Sequence, residues 1–234
     1  MIGILSDIHG NSKALLKTLS ILKREGAQAI YCLGDVLGYI PTVDAVQILR
    51  SSHELAICLQ GNHEDMIFSN FNDAEKMKIY KTSEIRQSLS DEDANFLKQA
   101  RSSHVKQFPC GEVLFVHGSP SDTLNGYIYP DTKLDPWQEI SADFVFMGHT
   151  HRPFIREAHS KIFVNVGSCG MPRDTGEFGS ACLFNEKTGQ VRIIRFSIKD
   201  ETSEMLNHIN DVHPSVVNLF ERRTEGCFGE FIDE

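Results

Sequence analysis

Five short blocks of the chain carry imidazole, carboxylate and carboxamide groups at spacings that could hold cations. They are Asp7-Ile8-His9, Gly34-Asp35, Gly61-Asn62-His63, His117-Gly118 and Gly148-His149-Thr150-His151. Imidazole is the commonest nitrogen ligand for a transition metal, and the mixture with Asp and Asn oxygens suits borderline divalent ions such as Mn, Fe, Ni or Zn. Taken singly, each block has a plainer explanation. A His-x-His pair is matched by two surface histidines, Asp7 by a loop carboxylate and Asn11 by a helix cap. The recurrence carries the weight, because every block follows an apolar run directly or one residue later.

Those runs are the elements that must position the blocks. Phe144–Met147 is unbroken apolar sequence ahead of Gly148, which predicts a strand buried on both faces. Residues 1–6, 29–33, 55–59 and 112–116 play the same part for Asp7, Asp35, Asn62 and His117. Between them lies helical periodicity. Residues 12–25 carry Leu15, Leu19 and Leu22, with Asn11 or Ser12 as N-cap and Gly26 just past the end, and residues 42–51 carry Val43, Val46 and Leu49. The βαβαβ order predicts a layered α/β fold, in which ligands gather outside the carboxyl ends of the strands.

The remainder is less informative. Residues 65–105 read as polar and helical, with charged residues on a solvated face and Ser90 with Asp93 as a capping pair. Residues 121–140, with Gly126, Pro130 and Pro136, read as a long loop in which Trp137 packs. Strands are predicted over 162–165, 181–184 and 191–196, the last two joined by a turn at 186–189. Residues 200–234 read as one or two short helices and a tail, for which packing, a dimer arm and disorder all stay open. One domain over 1–234 is the expected organisation, since no repeat or linker interrupts it.

Composition narrows the function classes. Of the 234 residues 41% are apolar and 24% charged, the balance of a folded globule. No apolar run approaches the roughly 20 residues needed to cross a bilayer, and the N-terminus begins as a strand without a basic leader. The net charge of −9 argues against a nucleic-acid polymer as partner. It leaves room for a small anionic substrate held through cations. The six cysteines are scattered, with no C-x-x-C pair, and read as thiols in a reducing compartment. A cytoplasmic enzyme with no membrane partner is the expectation.

In this order, D-x-H, G-D, G-N-H, H-G and G-H-x-H resemble the calcineurin-like metallophosphoesterase superfamily. The downstream Gly167-Ser168 and Pro172-Arg173 match its G-S and P-R blocks. The resemblance implies a four-layer α/β/β/α sandwich with two mixed sheets. It implies one metal held by Asp7, His9, Asp35 and His151 and a second by Asp35, Asn62, His117 and His149. Asp35 would bridge them through its two oxygens, with Mn as the favoured ion, and His63 would stay free for chemistry. Arg173 and Asn11 would contact substrate. The second block lacks the further Asp and Arg of the family's protein phosphatases, since Gly34-Asp35 continues Val36-Leu37-Gly38-Tyr39. Glu64 stands where small bacterial members often have Asp; it is not a ligand position. The likeness is to small bacterial and archaeal phosphoesterases.

The activity so implied is hydrolysis of small phosphodiesters or nucleotides by in-line attack of a hydroxide shared between two ions. His63 would protonate the leaving oxygen. A pyrophosphate-bond hydrolase of the diadenosine tetraphosphatase kind is the alternative enzyme. A phosphoesterase-like protein-binding scaffold is the alternative outside enzymes, and it would not need every ligand retained.

Overall fold

The computed structural model describes residues 1–209, 211–224 and 226–232. The first half runs β1 (Ile2–Leu5), α1 (Ser12–Arg24), β2 (Ala29–Cys32), α2 (Asp44–Ser51), β3 (Leu55–Cys58), α3 (Asn62–Phe68), α4 (Ala74–Tyr80), α5 (Thr82–Ser88), α6 (Asp91–Lys98), β4 (Ser103–Phe108) and β5 (Gly111–Val116). After a 3-10 turn at Asp135–Trp137 come β6 (Phe144–Met147), β7 (Phe154–Ala158), β8 (Lys161–Asn165), β9 (Phe178–Phe184), β10 (Val191–Ser197), α7 (Lys199–His208), α8 (Pro214–Phe220) and β11 (Glu230–Phe231).

Two mixed sheets result, ordered β11-β10-β9-β1-β2-β3 and β4-β5-β6-β8-β7. Strands β1, β2 and β3 are parallel in the first, and β5, β6 and β8 in the second. Side chains alternate along a strand, and this sets the layers. Ile2, Ile4 and Tyr31 meet Phe115, Phe144, Phe146 and Phe184 between the sheets. Leu5, Ile30 and Cys32 face outward onto α1 and α2 through Leu15, Leu22, Val46 and Leu49. Val145 and Met147, on the other face of β6, pack with Ile128, Leu134 and the partly buried Trp137. The run at 144–147 is therefore buried on both faces, as its lack of alternation predicts. The outer cover of the second sheet is the long connection between β5 and β6, whose one helical element is the 3-10 turn.

The structure differs from the sequence reading in several places. Residues 65–105 are helical only to Lys98, and Ser103 already opens β4, which pairs antiparallel with β5. Strand β7 was not foreseen; it pairs with β8 at the sheet edge. Asp93 is not on a solvated face: it is buried and holds Arg50 Nε at 3.0 Å. The C-terminal segment packs on the body. Helix α7 lies along α1, with Lys13 on Glu204 at 2.7 Å. Helix α8 sets Val216, Leu219 and Phe220 against Tyr39, Met171 and Tyr80. All six cysteines are free. No helix among the described residues is long and apolar enough to cross a membrane.

Candidate metal centre

Parallel β1, β2 and β3 end on one edge, as do β5 and β6, so the five blocks meet where the two sheets come together. Convergence needs the chain to turn sharply at each strand end. Asp7, His9, Asp35, His149 and His151 all have positive φ, between 51° and 64°, a region that non-glycine residues rarely occupy. Each such residue costs about 1–3 kcal/mol, so the surroundings must over-determine it. They do so through a backbone ladder between blocks, in which Asp7, Ile8, His9 and Gly10 donate to the carbonyls of Gly34, Asp35, Asp35 and Val36. Close approach explains the motif glycines. A Cβ at Gly148 would collide with Ser6 Oγ and Asp7 Oδ2, and one at Gly61 with Asp35 Oδ1 and its amide.

Two half-sites form around Asp35. In the first, His151 Nε2 lies 3.0 Å from His9 Nε2 and 3.2 Å from Asp7 Oδ1. In the second, His117 Nε2 lies 3.0 Å from Asn62 Oδ1 and 3.3 Å from Asp35 Oδ2, with His149 beside it at 5.0 Å between ring centroids. Asp35 Oδ2 is also 3.7 Å from His9 Nε2. The two oxygens of Asp35 are therefore not divided between the half-sites. Oδ1 accepts the His63 amide at 2.9 Å, and Oδ2 alone faces both sets. Asp7 follows the same plan: Oδ2 accepts the His149 amide at 3.0 Å, and Oδ1 has no hydrogen-bond partner.

The donor set fits cations on its chemistry. His9 Nδ1 donates to the Leu37 carbonyl at 3.1 Å, His117 Nδ1 to Leu33 at 2.9 Å, and His151 Nδ1 to Met171. A carbonyl only accepts, so in the neutral rings each Nε2 presents a lone pair. Lone pair then faces lone pair between His9 and His151, and His117 faces two acceptor oxygens. His149 Nε2 is buried without a partner. Such an arrangement is repulsive unless positive charge lies among the atoms. Burial and neighbouring imidazolium charge hold His9 well below the usual histidine range, and burial pushes His63 and His149 down to about 4. Burial alone would raise Asp7 and Asp35, but facing histidines hold both below the carboxylate range. For His117, burial is outweighed by Asp35, which pushes it up to about 10. The cluster thus keeps its carboxylates ionised and admits positive charge between them.

A cavity of about 60 Å³ opens onto these groups, lined by Asp35, Asn62, His63, His149, His151 and Arg173 together with three tyrosines. A larger hollow of about 400 Å³ between α7 and α8 holds no such cluster. His63 is the second residue of α3, and its ring stands 4.7 Å from those of His9 and Tyr39. Arg173 donates to Tyr39 Oη at 2.6 Å, and its amide to the His151 carbonyl at 3.3 Å. The structure does not bring Asn11 to the cavity. Its amide hydrogens go to the Gly170 carbonyl and Thr202 Oγ1, both at 3.0 Å, and its oxygen caps Ala14. Its polar atoms are spent within the fold.

Sequence reasoning gave no functional role to several residues at the site. Glu64, dismissed as no ligand, is fully buried and accepts the amides of Asp35 and Gly61 at 2.9 Å and of Leu37 at 3.0 Å. Burial and the Asp35 charge push it up to about 7 against the pull of those bonds. A Glu three residues past a helix start was the available signal. Tyr39, Tyr80 and Tyr127 line the cavity; Tyr39 follows the Gly34-Asp35 block closely, but nothing local in the sequence marked Tyr80 or Tyr127. Behind the ligands, Asn165 ties the Gly148 carbonyl and Thr150, and Ser168 Oγ bridges the Asp7 carbonyl and the Met171 amide at 2.7 Å. The G-S block thus steadies two ligand loops.

A family model described as the calcineurin-like phosphoesterase superfamily domain matches residues 1–189. Over 217 residues the chain is 29% identical to an uncharacterised protein of Methanocaldococcus jannaschii, covering 83% of this chain and 86% of that one. A metallophosphoesterase structure from Sphaerobacter thermophilus superposes with a TM-score of 0.78 at 22% identity, over 94% of this chain and 97% of that chain. The structure of a hypothetical protein from Pyrococcus horikoshii gives 0.76 at 20% identity, over 97% and 100%.

Proposed function

The chain belongs to the calcineurin-like phosphoesterase superfamily, and from that premise we propose that it hydrolyses small phosphodiesters, nucleotides among them, with two divalent ions bound. One observation carries this reading: Asp35 Oδ2 lies 3.7 Å from His9 Nε2 and 3.3 Å from His117 Nε2, between one group of imidazole and carboxylate and another of imidazole and amide oxygen. Asp7, His9, Asp35 and His151 would hold one ion, and Asp35, Asn62, His117 and His149 the other, with Mn the favoured metal. When bound, the pair supplies charge neutralisation at phosphoryl oxygens and activates water for in-line attack on phosphorus.

The protein's own groups do the rest. Arg173 is held at its amide by His151 and at its carbonyl by Arg222, so its guanidinium is aimed at the cavity, and its Nε has no partner there. It orients a phosphoryl oxygen by a charge-assisted bond. His63 lies within ligand reach of His9 and Asp35, yet neither proposed ion needs it, and it would give a proton to the leaving oxygen. Burial pushes it down to about 4 in the free protein, so it acts as the acid only after taking up a proton, which the negative charge of a bound phosphate ester favours. Tyr39 screens His63 and holds Arg173 in place.

Among the described residues, Arg173 is the one Lys or Arg lining the cavity. Two divalent ions would add their own charge, so the lining alone does not separate a diester from a polyphosphate chain. Substrate profiling decides between the diester reading and dinucleoside-polyphosphate hydrolysis. The test is turnover by the Mn-loaded protein of a diester, a monoester and a dinucleoside tetraphosphate. The highest kcat/KM is expected on the diester. Preference for the tetraphosphate would move the reading to pyrophosphate-bond hydrolysis, and no turnover of any of the three would end it.

A further inference from the structure

We propose that Tyr127, at the rim of the metal cavity, and Tyr129 beyond it form a stacking platform for the base of a nucleotide-containing substrate. The proposal rests on the phosphoesterase reading only for the position of the phosphate.

The size of the cavity is the first reason. About 60 Å³ is available above the histidines, room for a handful of water-sized groups at roughly 15 Å³ each. Pockets that engulf a whole organic ligand run to about 300–1,000 Å³. A phosphoryl group fits, and what is esterified to it must lie on the rim.

The rim beside His149 is aromatic. The Tyr127 ring centroid lies 4.1 Å from that of His149, and the Tyr129 ring follows at 5.8 Å, within 7° of parallel to Tyr127. Both rings are open to solvent, at 51% and 40% exposure, although burial of such rings is favourable. The chain between them explains why they stay outward. Ile128 is buried under the second sheet, so its two neighbours project to the other side. The segment is built in place: the Tyr129 amide donates to Thr132 Oγ1 at 2.9 Å, and Arg156 donates to the Thr132 carbonyl. On the approach side, Asp122 Oδ1 accepts the amides of Leu124 and Asn125, and the Asp122 carbonyl accepts that of Gly126. The result is two flat faces, rigidly carried, beside a proposed metal ligand. A flat aromatic group attached to the scissile phosphate is the chemistry that matches them. Stacking of this kind tolerates any base.

The experiment compares AMP with ribose 5-phosphate, which keeps the sugar and phosphate but lacks the base. Calorimetric binding to the Mn-loaded protein should favour AMP by roughly 5- to 150-fold, the usual worth of one base–aromatic stack. In the Tyr127→Leu/Tyr129→Leu double variant that ratio should fall to within about two-fold of unity, and Tyr127→Trp should retain it. Equal affinities in the unaltered protein, or a ratio that survives the double substitution, would overturn the platform. Diester turnover is measured in parallel. Turnover with a ratio near unity rejects the platform alone; an intact ratio without turnover rejects the phosphoesterase reading and leaves the platform standing.

Discussion

Glu64→Gln is the substitution with the most to say about how the site is held. The Glu64 carboxylate accepts three buried amides, from Asp35, Gly61 and Leu37. The Leu37 carbonyl in turn fixes His9 Nδ1. Gln can place its oxygen where two of those bonds are kept, but its NH2 then meets the Leu37 N–H donor to donor. The loss is one bond to a charged acceptor plus one orphaned buried amide, about 1–3 kcal/mol. In a chain of this size that lowers the melting temperature by roughly 2–12 °C. The displaced Leu37 carbonyl loosens His9, and outer partners of this kind are typically worth about 10–100-fold in metal affinity. Ala would orphan three amides and threaten a total stability of only ~5–15 kcal/mol, so Gln is the informative change. Thermal unfolding of the metal-free protein and calorimetric Mn²⁺ titration read the two effects separately. A variant that melts lower yet binds Mn²⁺ as the parent does would show that Glu64 supports the fold without setting the metal ligands, and the reasoning would fail.

Asp35→Asn should abolish hydrolysis and bind fewer than two ions per chain by elemental analysis, because a neutral amide is a poor bridge at the Oδ2 position. Full metal content would refute this. Arg173→Ala should raise KM about 10- to 100-fold, the worth of a charge-assisted hydrogen bond, with metal content unchanged; unaltered KM and kcat would remove Arg173 from substrate binding. His63→Ala should keep its metal and lose about 10²–10⁴-fold in kcat on a nucleotide diester, whose alkoxide must be protonated on departure. A nitrophenyl diester, with its stable phenolate, should be slowed far less. Equal losses on both would mean that His63 stabilises charge and donates no proton.

The five ligand blocks were legible because the signal is short-range: an apolar strand, then an Asp, Asn or His next to a glycine. The parallel core strands β1, β2, β3, β5 and β6 were legible on the same grounds. What escaped depends on distant partners. Strand β4 is half-exposed and reads as polar chain until β5 pairs with it, and β7 follows a proline at a sheet edge. Tyr80 and Tyr127 reach the cavity from a polar helical stretch and a long loop, with nothing beside them in sequence to mark the destination. Asn11 shows the converse failure. A polar residue after a metal block looks like a substrate contact, yet its partners Gly170 and Thr202 lie more than 150 positions away and consume its amide. Glu64 was misjudged because a carboxylate next to ligands was weighed only as a ligand.

The central claim is that two divalent ions, joined at Asp35, make this chain a phosphodiesterase. Stepwise addition of Mn²⁺ to metal-depleted protein, with hydrolysis of a nitrophenyl diester followed at each addition, tests it most directly. Hydrolysis should be absent at the start and rise to a plateau as the second equivalent per chain is bound. A plateau at one equivalent would contradict the dinuclear centre. Tight uptake of metal with no hydrolysis at any ratio, or hydrolysis that persists in its absence, would contradict the claim altogether.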